Sequence, residues 1–281
     1  MAESTGQAAT FRERLHQEAA KVRLDPRFAD VVPKFCVAIP KVWAALKRGG
    51  MPVDDAGGFA VATFLVTAPV APTETELTAF CARMKLASRT RVRALVDRFE
   101  KEGLVERRRS AMDARRVELP PKPILRVHFR RWIRTLAGLV EPWSGIGAKR
   151  VNDALVVEYL RVTSSAYLEG YVLFQDFPIV ARFQARRSGY SLFLTLIGRA
   201  DSKGLTTLNR QQFAADHAAS RPHITSLVKE AEADGLLERA GGDTIRLSST
   251  FTEEAYRWLA SEVVWTSYSL LQASTKRAAR P

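Results

Sequence analysis

Apolar residues recur at helical spacing along most of this chain, and the clearest stretch lies between residues 73 and 140. Leu77, Phe80, Cys81 and Met84 share one face, behind a Thr73-Glu74-Thr75-Glu76 start. There Thr73 can cap the exposed amides while the glutamates complement the positive helix end. After a turn through Leu86-Ala87, Ser88 is an N-cap, and Val92, Leu95, Val96 and Phe99 form a buried stripe at i, i+3, i+4 and i+7. Gly103 supplies the left-handed residue that ends this helix. Val105 to Ser110 and Arg115 to Leu119 then read as two strands joined at Ala111-Met112-Asp113-Ala114, a wing. Pro120, Pro121 and Pro123 stop it, and a basic helix from about Leu125 to Val140 follows.

Upstream, a helical pattern runs from about Phe28 to Lys47, where Pro33 and Pro40 are expected to kink or divide it. A glycine-rich loop precedes a short apolar helix, Phe59 to Thr67. Downstream, Trp143-Ser144-Gly145-Ile146-Gly147 reads as an inter-domain boundary. Helices are expected from Val151 to about Gly170 and from Pro178 to Arg186. The first ten residues and the tail from Ser274 to Pro281 read as frayed.

The pattern then returns. Ala87 to Arg107 and Ala219 to Arg239, an offset of 132, coincide at 10 of 21 positions, where unrelated sequences would agree at roughly one. Gly189-Tyr190-Ser191-Leu192 corresponds to Gly58-Phe59-Ala60-Val61, Leu208 to His217 corresponds to the helix begun at Thr73, and Gly235 corresponds to Gly103. The second wing reads as shorter, turning at Gly241-Gly242-Asp243, and Arg257-Trp258 echoes Arg131-Trp132. The expected organisation is residues 1–24 as a flexible or partly helical N-terminus, 25–146 as a first basic domain, 147–274 as a second, degenerate domain, and 275–281 as a basic tail.

Composition narrows the class. With 46% hydrophobic and 26% charged residues the 281-residue chain is expected to be a folded soluble protein with two cores. Cys36 and Cys81, in apolar helical contexts, read as core residues of a reducing cytoplasm rather than a disulfide. The longest apolar run, Gly58 to Ala71, is too short to span a bilayer and is broken by Pro69, so no membrane partner is expected. A net charge of +13 favours a polyanionic partner. The charge is unevenly placed: Arg89 to Arg116 balances at +5, Arg221 to Arg246 at −1.

In the helix from Ser88, Thr90, Arg93, Ala94 and Asp97 lie opposite the buried stripe, flanked by Arg91 and Arg98. Arginines near such a helix start suit the major groove of DNA, where they can bond guanine bidentately. Arg107, Arg108, Arg109, Arg115 and Arg116 on a thin hairpin suit the minor groove, where the potential is most negative. Ser88 to Val105, Glu106 to Ser110 and Asp113-Ala114-Arg115-Arg116 together resemble the recognition helix and Asp-x-Arg wing of MarR-type winged-helix regulators. The resemblance covers roughly Phe59 to Val140 well and Tyr190 to Leu271 more weakly, since the second wing lacks Asp-x-Arg. It implies that Arg115 contacts the minor groove. It also implies a mainly α fold of two tandem winged helix-turn-helix domains, each with a small β-hairpin wing, arranged as a pseudo-dimer.

The expected function is sequence-specific double-stranded DNA binding for bacterial transcriptional control, in the cytoplasm at the nucleoid. The residues expected to carry it are Ser88, Arg89, Thr90, Arg91, Arg93, Arg98 and the five wing arginines. Arg221, His223, Thr225 and Lys229 are weaker candidates in the second copy, which reads equally as a protein-partner or self-association surface. A replication initiator with tandem winged helices, or an interaction adaptor, stays open. No enzyme is expected: His16, His128, His217 and His223 are scattered without metal-ligand spacing, and no cofactor is implied. Trp43, Trp132, Trp143, Trp258 and Trp265 read either as core residues or as the lining of a cavity for a small aromatic effector.

Overall fold

A computed structural model describes residues 2–53, 55–113, 115–168 and 171–278. Among them the fold is mainly α-helical, with two small antiparallel sheets. No helix among the described residues is long and apolar enough to cross a membrane. The chain divides into two compact units, one of residues 1–10, 46–172 and 267–281, the other of residues 11–45 and 173–266.

Two long helices open the chain, α1 (Ala2–Leu24) and α2 (Pro26–Arg48). The N-terminal segment, expected to be flexible or partly helical, is helical from Ala2 to Leu24, and Leu15, Ala19 and Val22 on it are buried. Pro33 and Pro40 sit inside α2 without dividing it. Each proline removes one backbone hydrogen bond. Burial of Val31, Val32, Phe35, Cys36, Ile39 and Val42 along the helix offsets that loss.

In the first unit, α3 (Ala56–Thr67) starts where the Asp55 carboxylate accepts the Gly58 amide at 2.9 Å. A side chain at Gly58 would meet the Pro52 carbonyl oxygen at 2.1 Å, so only glycine allows this close entry. Next comes α4 (Glu74–Arg83) with a full capping box: Thr73 Oγ1 accepts the Glu76 amide, and Glu76 accepts the Thr73 amide at 2.7 Å. After it come α5 (Arg89–Lys101), the short strands β1 (Arg108–Arg109) and β2 (Val117–Glu118), α6 (Pro123–Ser144) and α7 (Asp153–Leu168). Leu77, Phe80, Cys81 and Met84, and Val92, Leu95, Val96 and Phe99, the two stripes read from the sequence, are all buried. The first hairpin pairs less than expected, because Pro120 and Pro121 have no amide to donate and pairing beyond the strands shrinks to a bridge between Val105 and Pro121. Leu119 instead donates to the Pro72 carbonyl at 2.8 Å, fastening the hairpin to the segment before α4.

The second unit repeats the order. It holds α8 (Pro178–Gln184), α9 (Gly189–Arg199), β3 (Leu205–Thr207), α10 (Arg210–Asp216), α11 (Arg221–Ala233), β4 (Leu237–Gly241), β5 (Thr244–Leu247) and the start of α12 (Ser249–Ala278). Its sheet is three-stranded, in the order β3-β5-β4, and buries Thr206, Leu237, Ile245 and Leu247. The turn of the second hairpin is the tighter one, with Gly241 and Gly242 at φ 109° and 55°. Its strands nevertheless pair further than those of the first. The tail is helical to Ala278, and the last three residues, like Ala114 in the first wing and Gly170, lie outside the described residues.

Backbone detail repeats too. The turn between α4 and α5 puts Lys85 at φ 54°, and the turn between α10 and α11 puts Ala218 at φ 49°. Leu86 donates to the Cys81 carbonyl at 3.0 Å, and Ala219 to that of Ala214 at 2.9 Å. Gly103 and Gly235, at φ 69° and 68°, end α5 and α11 alike.

Candidate nucleic-acid interface

The Ser88 hydroxyl accepts the Arg91 amide at 3.3 Å and fixes where α5 begins. With Val92, Leu95, Val96 and Phe99 buried, helical geometry leaves Arg89, Thr90, Arg93, Ala94 and Asp97 exposed. The free amides of a helix start carry partial positive charge, so Arg89 and Arg93 stand where the helix already favours anions. Neither side chain forms an ion pair among the described residues. Arg91 turns back instead, bonding the Asp55 carboxylate at 2.8 Å and tying α5 to the cap of α3. Arg98 is half-buried.

The wing arginines fall into two sets. Arg107 is enclosed by carboxylates, with Asp97 at 2.5 Å, Glu74 at 3.9 Å, and Glu100 in direct contact. Burial alone would lower its pKa, but the hydrogen bond it donates to Asp97 and the charges of Glu100 and Asp97 raise it. Arg116 bonds Glu76 at 3.1 Å, and Arg108 lies 3.7 Å from Glu118. Glu76 is held below the usual carboxylate range, chiefly by the Thr73 amide and, less strongly, by Arg116. Arg109 and Arg115 are exposed and form no ion pair among the described residues. Arg115 is oriented by its own backbone amide, which donates to Asp113 at 2.9 Å. Thus Arg107 and Arg116 brace the hairpin from behind, while Arg109 and Arg115 stay available. A single exposed ion pair is worth little, but a cation shared by three carboxylates fixes geometry.

The second copy keeps the braces and loses the free charge. Arg239 bonds Glu232 at 2.9 Å, and these two align with Arg107 and Glu100 at the offset of 132. His223 aligns with Arg91, and its Nε2 donates to the Arg187 carbonyl at 2.7 Å, a backbone partner in place of the Asp55 carboxylate. Glu230 contacts Arg186 and accepts from Ser226 at 3.0 Å, and both contacts hold its pKa down. Asp234 contacts Arg182. Arg98 aligns with Glu230, and Asp55 aligns with Arg186 at the offset that sets Gly58 against Gly189, so both charges are reversed in the sequence. Arg221 and Lys229 are exposed, Thr225 is half-buried, and the wing apex carries Gly241-Gly242-Asp243 with no cation.

Sequence reasoning missed the acidic partners Asp55, Glu74 and Glu76, and two exposed cations before α5, Arg83 and Lys85. One signal was present: a Glu precedes an Arg by seven residues in both copies, at Glu100/Arg107 and Glu232/Arg239. Trp43, Trp132, Trp258 and Trp265 pack against rings of their own unit. Trp132 meets Phe59 edge-on at 5.0 Å, Trp265 meets Phe11 at 5.7 Å, and the Trp258 indole donates to the Tyr190 hydroxyl at 3.3 Å. No group of three His, Cys, Asp or Glu side chains among the described residues is placed to hold a metal ion. Compared with family models, curated proteins and solved structures, the chain matches none.

Proposed function

We propose that this chain is a non-catalytic, sequence-specific binder of double-stranded DNA that acts in transcriptional control. In this reading the segments α3 to β2 and α9 to β5 are winged helices in tandem. α5 enters the major groove, and the first wing follows the adjacent minor groove. One observation carries the reading: Arg89, Arg93, Arg109 and Arg115 are exposed and free of ion pairs among the described residues, while their neighbours Arg91, Arg107 and Arg116 are tied down. A generally basic, solvated surface would not sort its arginines this way.

Binding of the purified full-length protein to genomic duplex fragments, measured across salt concentrations, tests it. Neutralising about six phosphates gives a log–log slope of about −5. No binding to duplex in dilute buffer rules the reading out. The second copy is better suited to a protein surface, because Arg186 and Arg182 engage Glu230 on α11 and Asp234 just past its end, and its wing apex is acidic.

A further inference from the structure

Met112 stands at the apex of the first wing with 96% of its surface in solvent, more than any other large apolar side chain among the described residues. Its place is fixed. The Met112 amide donates to the Ser110 hydroxyl at 3.3 Å, and Ser110, itself buried, donates to the Arg116 carbonyl at 2.9 Å. Arg116 closes the turn on the Asp113 carbonyl at 2.9 Å and is clamped to Glu76. A bulky thioether side chain is therefore presented to water on a braced hairpin, with Arg109 and Arg115 free on either side of it in sequence. The second wing turns on Gly241-Gly242-Asp243 and presents no apolar side chain there.

We infer that Met112 is a wedge that enters the minor groove of the bound duplex and partly unstacks a base step, bending the DNA. The inference rests on the proposed DNA binding and adds a mechanical consequence to it. The occupant is a duplex because the free cations Arg109 and Arg115 flank the apex, while the Asp113 carboxylate is turned back onto the Arg115 amide: the cations neutralise the phosphates that border the groove, and the apolar side chain meets sugars and base edges. Met suits the task, being unbranched and polarizable, and able to fit an irregular gap.

The experiment uses a short duplex selected by the full-length protein from a random pool, with donor and acceptor dyes at its ends. The wild type shortens the end-to-end distance, corresponding to a bend of roughly 20–90°. Met112→Ala removes most of that bend and weakens binding about tenfold, the scale of one buried Met-sized side chain. It leaves the salt slope unchanged, because no phosphate contact is lost. Met112→Leu keeps the bend. Equal bending by the wild type and Met112→Ala, or undiminished affinity of Met112→Ala, overturns the wedge, as does a wild type that binds without bending. A wild type that ignores every duplex overturns the DNA-binding reading as well.

Discussion

The two copies differ far more in surface chemistry than in backbone. The caps Ser88 and Ser220, a left-handed residue in each helix-to-helix turn and the terminal glycines Gly103 and Gly235 recur, and so does the arginine that folds back from wing onto helix. Around them, Arg91 has become His223, Arg93 has become Thr225, and the Asp-x-Arg wing apex has become a two-glycine turn. Local hydrogen bonding and apolar spacing hold the scaffold, so exposed positions can be exchanged with little effect on it. The first copy spends its exposed positions on cations, and the second balances them internally.

Exchanging a core position should separate the copies most sharply. Phe99, fully buried, aligns with Ala231, so the two cores are filled differently. Phe99→Ala is expected to cost about 3–5 kcal/mol in denaturant unfolding, because the surroundings of α5 cannot close the cavity. Tolerance of that change would mean the first core relaxes into the form of the second. For the proposed binding, Arg93→Ala with Arg115→Ala should weaken duplex affinity by about 2–4 kcal/mol, through loss of one cation proposed to read a base and one proposed to enter the minor groove. Arg221→Ala with Lys229→Ala should change it by less than about 0.5 kcal/mol. Equal losses in a titration would erase the asymmetry.

A pH experiment sharpens the comparison inside the helix that follows each wing. Aligning Trp258 with Trp132 sets Glu262 against Leu136, and burial raises the Glu262 carboxyl from 4.5 to about 7. The folded state therefore binds this proton more tightly than the unfolded chain. Its contribution is complete below about pH 4.5 and is lost as the pH rises through 7. Glu262→Gln should match the wild type in acid and exceed it by about 1–2 kcal/mol at pH 8 in thermal melts. An unchanged difference across that range would deny the carboxyl its burial. The smallest effect belongs to the braces: Arg107→Ala and Arg239→Ala should each cost about 1 kcal/mol or less in stability. Arg107→Ala should leave the salt slope intact, whereas Arg115→Ala lowers it by about 1.

Much of this was legible in the sequence because it is local. The caps at Thr73 and Ser88, the stripe from Val92 to Phe99 and the stops at Gly103 and Gly235 are set within one or two helical turns. The braces were not legible, since Arg91 finds Asp55 across 36 residues and Arg116 finds Glu76 across 40. A charge pattern shows how many cations a face has, and only the fold shows which are already engaged. Residues 1–24 read only as flexible or partly helical because Leu15, Ala19 and Val22 make a sparse stripe among charged residues. In α2, the prolines outweighed an apolar face that in the fold outweighs them.

Lys85 and Ala218 keep a small conformational tension at the corner where each pair of helices meets, since neither is the glycine that such a corner favours. Replacing Ala218 with glycine would relax that corner without touching a charge. Heat tolerance and recognition are thereby separable traits of this chain, open to independent adjustment.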